Sequence, residues 1–120
     1  MSTMNSTIEY IDRLKPNVYS EEDKYAWIIR VEGMISTQVH EIEPVIHLNP
    51  EDADKELSVP APFDDIYALY VAAMIDFYNK EYSHYNNSAM MFTERLEQYK
   101  AWYIRHNMPK GAKNFRNVMG

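Results

Sequence analysis

Cysteine is absent from the 120 residues. Disulfides, thiolate metal sites and cysteine nucleophiles are thereby excluded. Glycine occurs only three times, too seldom for a phosphate-cradling loop. No apolar run approaches the ~18 residues of a membrane span. The opening "MSTMNSTIEY" has neither the basic nor the apolar region of a signal peptide, so a soluble chain that stays where it is made is expected. Basic residues are scarce except at one end. Arg105, Lys110, Lys113 and Arg116 stand in the last sixteen residues without an acid, whereas the preceding body holds 8 basic and 18 acidic residues. Such a body is unsuited to gripping phosphates, which argues against a nucleic-acid-binding surface. The basic end is either a contact arm or a solvated terminus.

What is abundant is tyrosine. Seven of the ten tyrosines lie between Tyr67 and Tyr103, within two apolar stretches of helical period. At this length one domain is expected, with a modest core. We read residues 1–106 as one helical domain and 107–120 as a basic tail, in an all-α bundle of about four helices.

The first helix opens at "STIEYIDRLKP", where Ser6 and Glu9 have capping-box spacing, Ile8, Ile11 and Leu14 form a stripe, and Pro16 stops the run. The second is capped by Ser20, with Glu21, Glu22 and Asp23 in its first turn. Ile28, Val31, Ile35, Val39 and Ile42 are its stripe, widened by Trp27 and Met34, and Pro44 ends it. Gly33 inside it is explained either by close approach of a neighbouring helix or by chance.

A long segment with Pro44, Pro50, Pro60 and Pro62 follows, which no helix can cross. Its two apolar pieces, "VIHL" and "ELSV", either pair as a short β-hairpin or lie in an extended loop. The third helix starts at Asp64 or its neighbour and carries two apolar stripes side by side, Ile66/Tyr70/Ala73/Phe77 and Tyr67/Val71/Met74/Tyr78. It has little free surface. A break is expected at Asn79–Glu81. The fourth helix then carries a seam of Tyr82, Tyr85, Ala89, Phe92, Leu96, Tyr99 and Tyr103, some 30 Å long at 1.5 Å per residue, with a polar opposite face.

Candidate chemistry is thin. His40, Glu41, Glu43 and His47 gather in sequence, but without the i, i+4 histidine pair of a helical zinc site, and a solvated helix end accounts for them. Asp64 and Asp65 suit helix capping as well as they suit acid catalysis. Asp76 among apolar neighbours is either a perturbed general acid or the partner of a tyrosine or arginine. Ser83, His84 and Ser88 lack the third group and oxyanion hole of a nucleophilic site. No catalytic residue, metal or cofactor is assigned, and the chain is not read as an enzyme. Tyrosine is favoured where one end is dry and the other wet, and it is enriched at protein interfaces. The tyrosines are therefore a seam between the last two helices whose outer part meets another surface.

"RLKPN" at 13–17, "VPAP-x-DD-x-Y" at 59–67 and "IDFYN…EY…YNNS" at 75–88 resemble small head–tail connector (adaptor, or head-completion) proteins of tailed phages and prophages. The likeness covers most of residues 7–106, and these are structural phrases rather than catalytic signatures. It implies an all-α bundle assembled as a ring of copies of itself beneath a portal, linking capsid to tail. DNA would pass through without specific binding, and the partners would be portal and stopper or tail proteins. Its location would be the virion, after assembly in the bacterial cytoplasm. The family brings no catalytic residues. On that basis neighbour contacts are expected at Trp27, Tyr67, Tyr78, Tyr85 and Trp102, and portal or partner contact at Arg105, Lys110, Lys113 and Arg116. The rival readings are a small helical interaction module or regulator of phage origin, and an enzyme with a tyrosine-lined pocket.

Overall fold

A computed structural model describes residues 2–41 and 50–107. Four helices, α1 (Met4–Leu14), α2 (Glu21–Met34), α3 (Ile66–Tyr78) and α4 (Tyr82–Asn107), make up an all-α bundle, with no strand among the described residues. No described helix is long and apolar enough to cross a membrane.

α1 starts one turn earlier than the Ser6–Glu9 spacing indicates. Thr3 is the N-cap, and Ser6 closes the capping box from the third helical position: its amide donates to Thr3 Oγ1 at 3.0 Å, and its Oγ accepts the return bond from the Thr3 amide at 2.9 Å. The earlier start brings Met4 into line with Ile8 and Ile11, and all three are buried. Leu14, expected on that stripe, points to solvent.

α2 begins at Ser20 as expected, with the Asp23 amide on its hydroxyl. Its α-helical turns end at Met34 and a π-helical turn, Ile35–Val39, carries the chain to His40. There the Ser36 and Thr37 hydroxyls donate to the Glu32 and Gly33 carbonyls at 3.0 Å each. These side chains compete for the acceptors of the helical ladder, and the last turn widens. Glu41 follows in the left-handed region, φ 55°. Ile42 and Pro44 lie outside the described residues. No neighbouring helix crowds Gly33: a Cβ built there meets nothing within 4 Å.

Of the two pieces proposed as a hairpin, "VIHL" lies outside the described residues. "ELSV" pairs at its start with the chain's own N-terminal segment, through one bridge between Glu56 and Thr3 and a bond from the Leu57 amide to the Ser2 carbonyl, and then bends at Ser58 and Val59. Ala53, Leu57 and Val59 are buried by this wrap.

α3 is the centre of the bundle, packed by α1, α2 and α4. Ile66, Tyr67, Ala68, Tyr70, Val71, Ala73, Ile75 and Asp76 are all buried. Asp65 is the N-cap residue, as the expected start at Asp64 or its neighbour requires, but its side chain makes no cap bond. Asp64 accepts from the Ser2 hydroxyl, and Asp65 takes Arg95 Nε at 2.8 Å. The expected break is a Schellman turn: the Lys80 amide returns to Phe77 O and the Glu81 amide to Asp76 O, with Lys80 at φ 63°. α4, 26 residues and about 39 Å long, then runs back antiparallel to α3, whose 13 residues span about 20 Å. It buries only Tyr99 fully, leaving Tyr85, Ala89, Phe92, Leu96 and Tyr103 half-buried and Tyr82 exposed.

Candidate functional site

Aromatic side chains collect at both ends of the α3–α4 pair, and the end nearer the α3–α4 turn is the less well covered. Trp27 of α2 stacks on Tyr78 of α3, with centroids 5.7 Å apart and planes 8° from parallel. Tyr19, in the linker before α2, meets Trp27 edge-on at 5.6 Å and donates its hydroxyl to Asn79 Oδ1 at 2.8 Å. From Tyr78 the contacts pass to Phe77 at 5.2 Å, and from Phe77 to Tyr85 at 5.3 Å and Tyr82 at 6.3 Å. Six rings are thus in unbroken contact. Phe77 is 43%, Tyr78 50% and Tyr82 56% exposed, while Leu14 at 64% and Val18 at 94% flank the same end.

This placement separates the five expected contact residues. Trp27, Tyr78 and Tyr85 share the group just described. Tyr67 is in the interior, wholly buried, its hydroxyl donating to Glu32 Oε1 at 2.6 Å and accepting from the Val59 amide at 3.0 Å. Burial first, and the Glu32 charge second, raise its pKa far above the ordinary value. It has no surface to offer a neighbour. Trp102 lies at the opposite end, half-buried against Phe63, Tyr99 and His106. Arg105 is exposed near the end of α4, and Lys110, Lys113 and Arg116 lie outside the described residues.

Tyr19, Phe77, Tyr82, Leu14 and Val18 are not among the contact residues expected from sequence. Phe77 and Tyr82 belong to the stripes but fall where the two helices run out of partner. Leu14 and Val18 flank Pro16, and that position was the available signal: apolar residues on either side of a helix stop have no helical neighbour to bury them.

The chemistry-bearing residues are engaged. Asp76 is fully buried, its Oδ1 within 2.8 Å of Lys15 Nζ and its Oδ2 accepting from Ser88 at 2.8 Å. The resulting staple joins α1, α3 and α4. Asp76, Glu81 and His84 have ligand atoms within 4.8 Å of one another, the geometry of a metal cluster. The Lys15 ammonium already supplies the charge that Asp76 requires, and Glu81 Oε2 meets His84 Nδ1 at 3.0 Å. Of the sequence cluster at the end of α2, His40 turns away from Glu41 to bond the Tyr99 hydroxyl through Nε2 at 2.7 Å. Glu43 and His47 lie outside the described residues. Burial lowers the His40 pKa, and burial, then Tyr103 and Glu32, push that of Tyr99 up to about 12.

No family model, curated protein or solved structure matches the chain.

Proposed function

We propose that this chain is a structural assembly protein whose aromatic end is covered by other protein molecules. The resemblance in its motifs gives the specific form: a head–tail connector, copies of which ring the channel beneath a portal and present a surface to stopper or tail proteins. The exposed group of Phe77, Tyr78 and Tyr82 with Leu14 and Val18 carries the reading. At about 150–250 Å² for a fully buried ring, three half-exposed rings leave about 300 Å² open to water. That is within the ~300–600 Å² of the largest patch on an ordinary monomer, and Leu14 and Val18, at the end of α1 and in the linker before Tyr19, are exposed besides.

Magnitudes favour many weak contacts over one strong pair. Covering about 300 Å² of apolar surface is worth about 7 kcal/mol, comparable to the ~4–15 kcal/mol that association costs. A single contact of this size is near balance. A closed ring, in which every copy makes two contacts, or a portal that collects several copies, tips it. The acidic body suits a wall past which DNA slides, because like charge keeps phosphates from adhering. Engagement of Asp76 by Lys15 and Ser88 weighs against the form of the enzyme reading that puts Asp76, rather than a histidine, at the base of a cavity.

Co-expression with any portal protein encoded in its genomic neighbourhood is the test. Co-purification in a stoichiometric ring, lost in Phe77→Ser/Tyr82→Ser, is the expected result. A chain that never accompanies the portal would end the connector reading.

A further inference from the structure

Tyr19, Asp23, Trp27 and Tyr78 line a hollow of about 260 Å³ at the aromatic end. Trp27 is its nearly buried floor, and Tyr78 and Tyr19, in tilted contact with centroids 6.3 Å apart, together form its aromatic side. Tyr19 is fixed through its hydroxyl on Asn79. Asp23 stands at the rim. Its amide is used by the Ser20 cap, while its carboxylate meets no cation among the described residues. Electron-rich ring faces beside an unneutralised carboxylate form a site for an organic cation, attracted by the ring quadrupoles and the charge together. Arginine and lysine side chains both have this chemistry.

We infer that the Tyr19/Asp23/Trp27/Tyr78 hollow takes a lysine or arginine from the basic segment 105–120 of a second copy of this chain. The inference rests on the assembly reading and names a neighbouring copy, rather than the portal, as that segment's partner. Charge selects the segment: Arg105, Lys110, Lys113 and Arg116 are its only ionised side chains, whereas the body carries the acids. Reach selects the second copy. The segment leaves the far end of α4, about 39 Å of helix from Tyr82. Lys110 and Lys113, three and six residues beyond Asn107, extend at most about 10 and 20 Å. Arg116 spans about 30 Å, so on its own chain it meets the hollow only when fully stretched along α4. A neighbour set head to tail has no such limit, and head-to-tail contacts are the kind that close rings.

The test is fluorescence anisotropy of a labelled peptide of residues 105–120, titrated with the full-length chain. Lys110→Gln, Lys113→Gln and Arg116→Gln in that chain remove competition from its own segment. Saturable binding that weakens with added salt is expected. Tyr78→Leu, which keeps apolar packing without the ring, weakens it about tenfold. Asp23→Asn weakens it severalfold, whereas Lys80→Gln, which removes a cation rather than an acid, does not weaken it. Circular dichroism verifies each fold, and Asp23→Asn, at an exposed site, keeps the test decisive should Tyr78→Leu unfold. No binding up to about 1 mM, an affinity of only about 4 kcal/mol, overturns the inference, as does equal binding by the Asp23 and Tyr78 variants. A failed peptide with intact portal co-purification sinks the inference alone. Binding without any portal association sinks the connector reading alone.

Discussion

Glu32 and Tyr67 show how one buried polar pair fixes a segment that has no regular structure. The Glu32 carboxylate accepts from the Ser58 amide at 2.9 Å, the Ser58 hydroxyl at 2.8 Å and Tyr67 at 2.6 Å. Tyr67 in turn holds the Val59 amide, so its hydroxyl is donor and acceptor at once. Tyr67→Phe strands the buried Val59 amide and takes one of three donors from Glu32, and is expected to cost about 1–3 kcal/mol in urea unfolding. His40 supplies a pH dependence. Its folded pKa lies below the unfolded value of 6.5, so between the two the unfolded chain binds the extra proton. The stability held above that unfolded value is lost as pH falls through the folded pKa. A His40→Gln variant should show a flatter midpoint across this window, while an unchanged slope would remove His40 as the cause. Neither partnership was legible in the sequence, because Glu32 and Tyr67 are 35 residues apart and His40 and Tyr99 are 59 apart. Tyr67 appeared as a surface candidate since periodicity locates a face without saying how deep it lies.

At the scale of elements, local signals served well where local physics decides. Ser20, the break at Asn79–Glu81 and the seam of α4 all stand where spacing and capping put them. They failed where a distant contact outweighed them: burial of Met4 pulled α1 back to Thr3, and the N-terminal segment took the pairing that "ELSV" offered. The Schellman turn carries Lys80 in a conformation that costs a side-chain-bearing residue roughly 1–2 kcal/mol. Lys80→Gly is therefore expected to stabilise the chain by about 1 kcal/mol, read as a raised melting temperature. In α2, open space around Gly33 makes Gly33→Ala favourable by about 0.5–1 kcal/mol. A loss there would mean that a neighbouring molecule occupies the space.

For the whole molecule, the balance is between a well-filled centre and an uncovered end. α3 is enclosed by three helices, yet its last two residues, Phe77 and Tyr78, emerge beyond them beside Tyr82. Sequence composition had already separated an acidic body from a basic end, and the excess of tyrosine had pointed outward. Only the packing shows which rings remain uncovered. Sedimentation velocity of the full-length chain, from about 1 µM to about 1 mM, spans affinities of about 8 to 4 kcal/mol and tests the central claim most directly. Mass that rises with concentration in the native chain, and stays at one subunit in Phe77→Ser/Tyr82→Ser, is the expected result. One subunit at every concentration, with native and variant chains alike and with the portal protein added as well as without it, would contradict it.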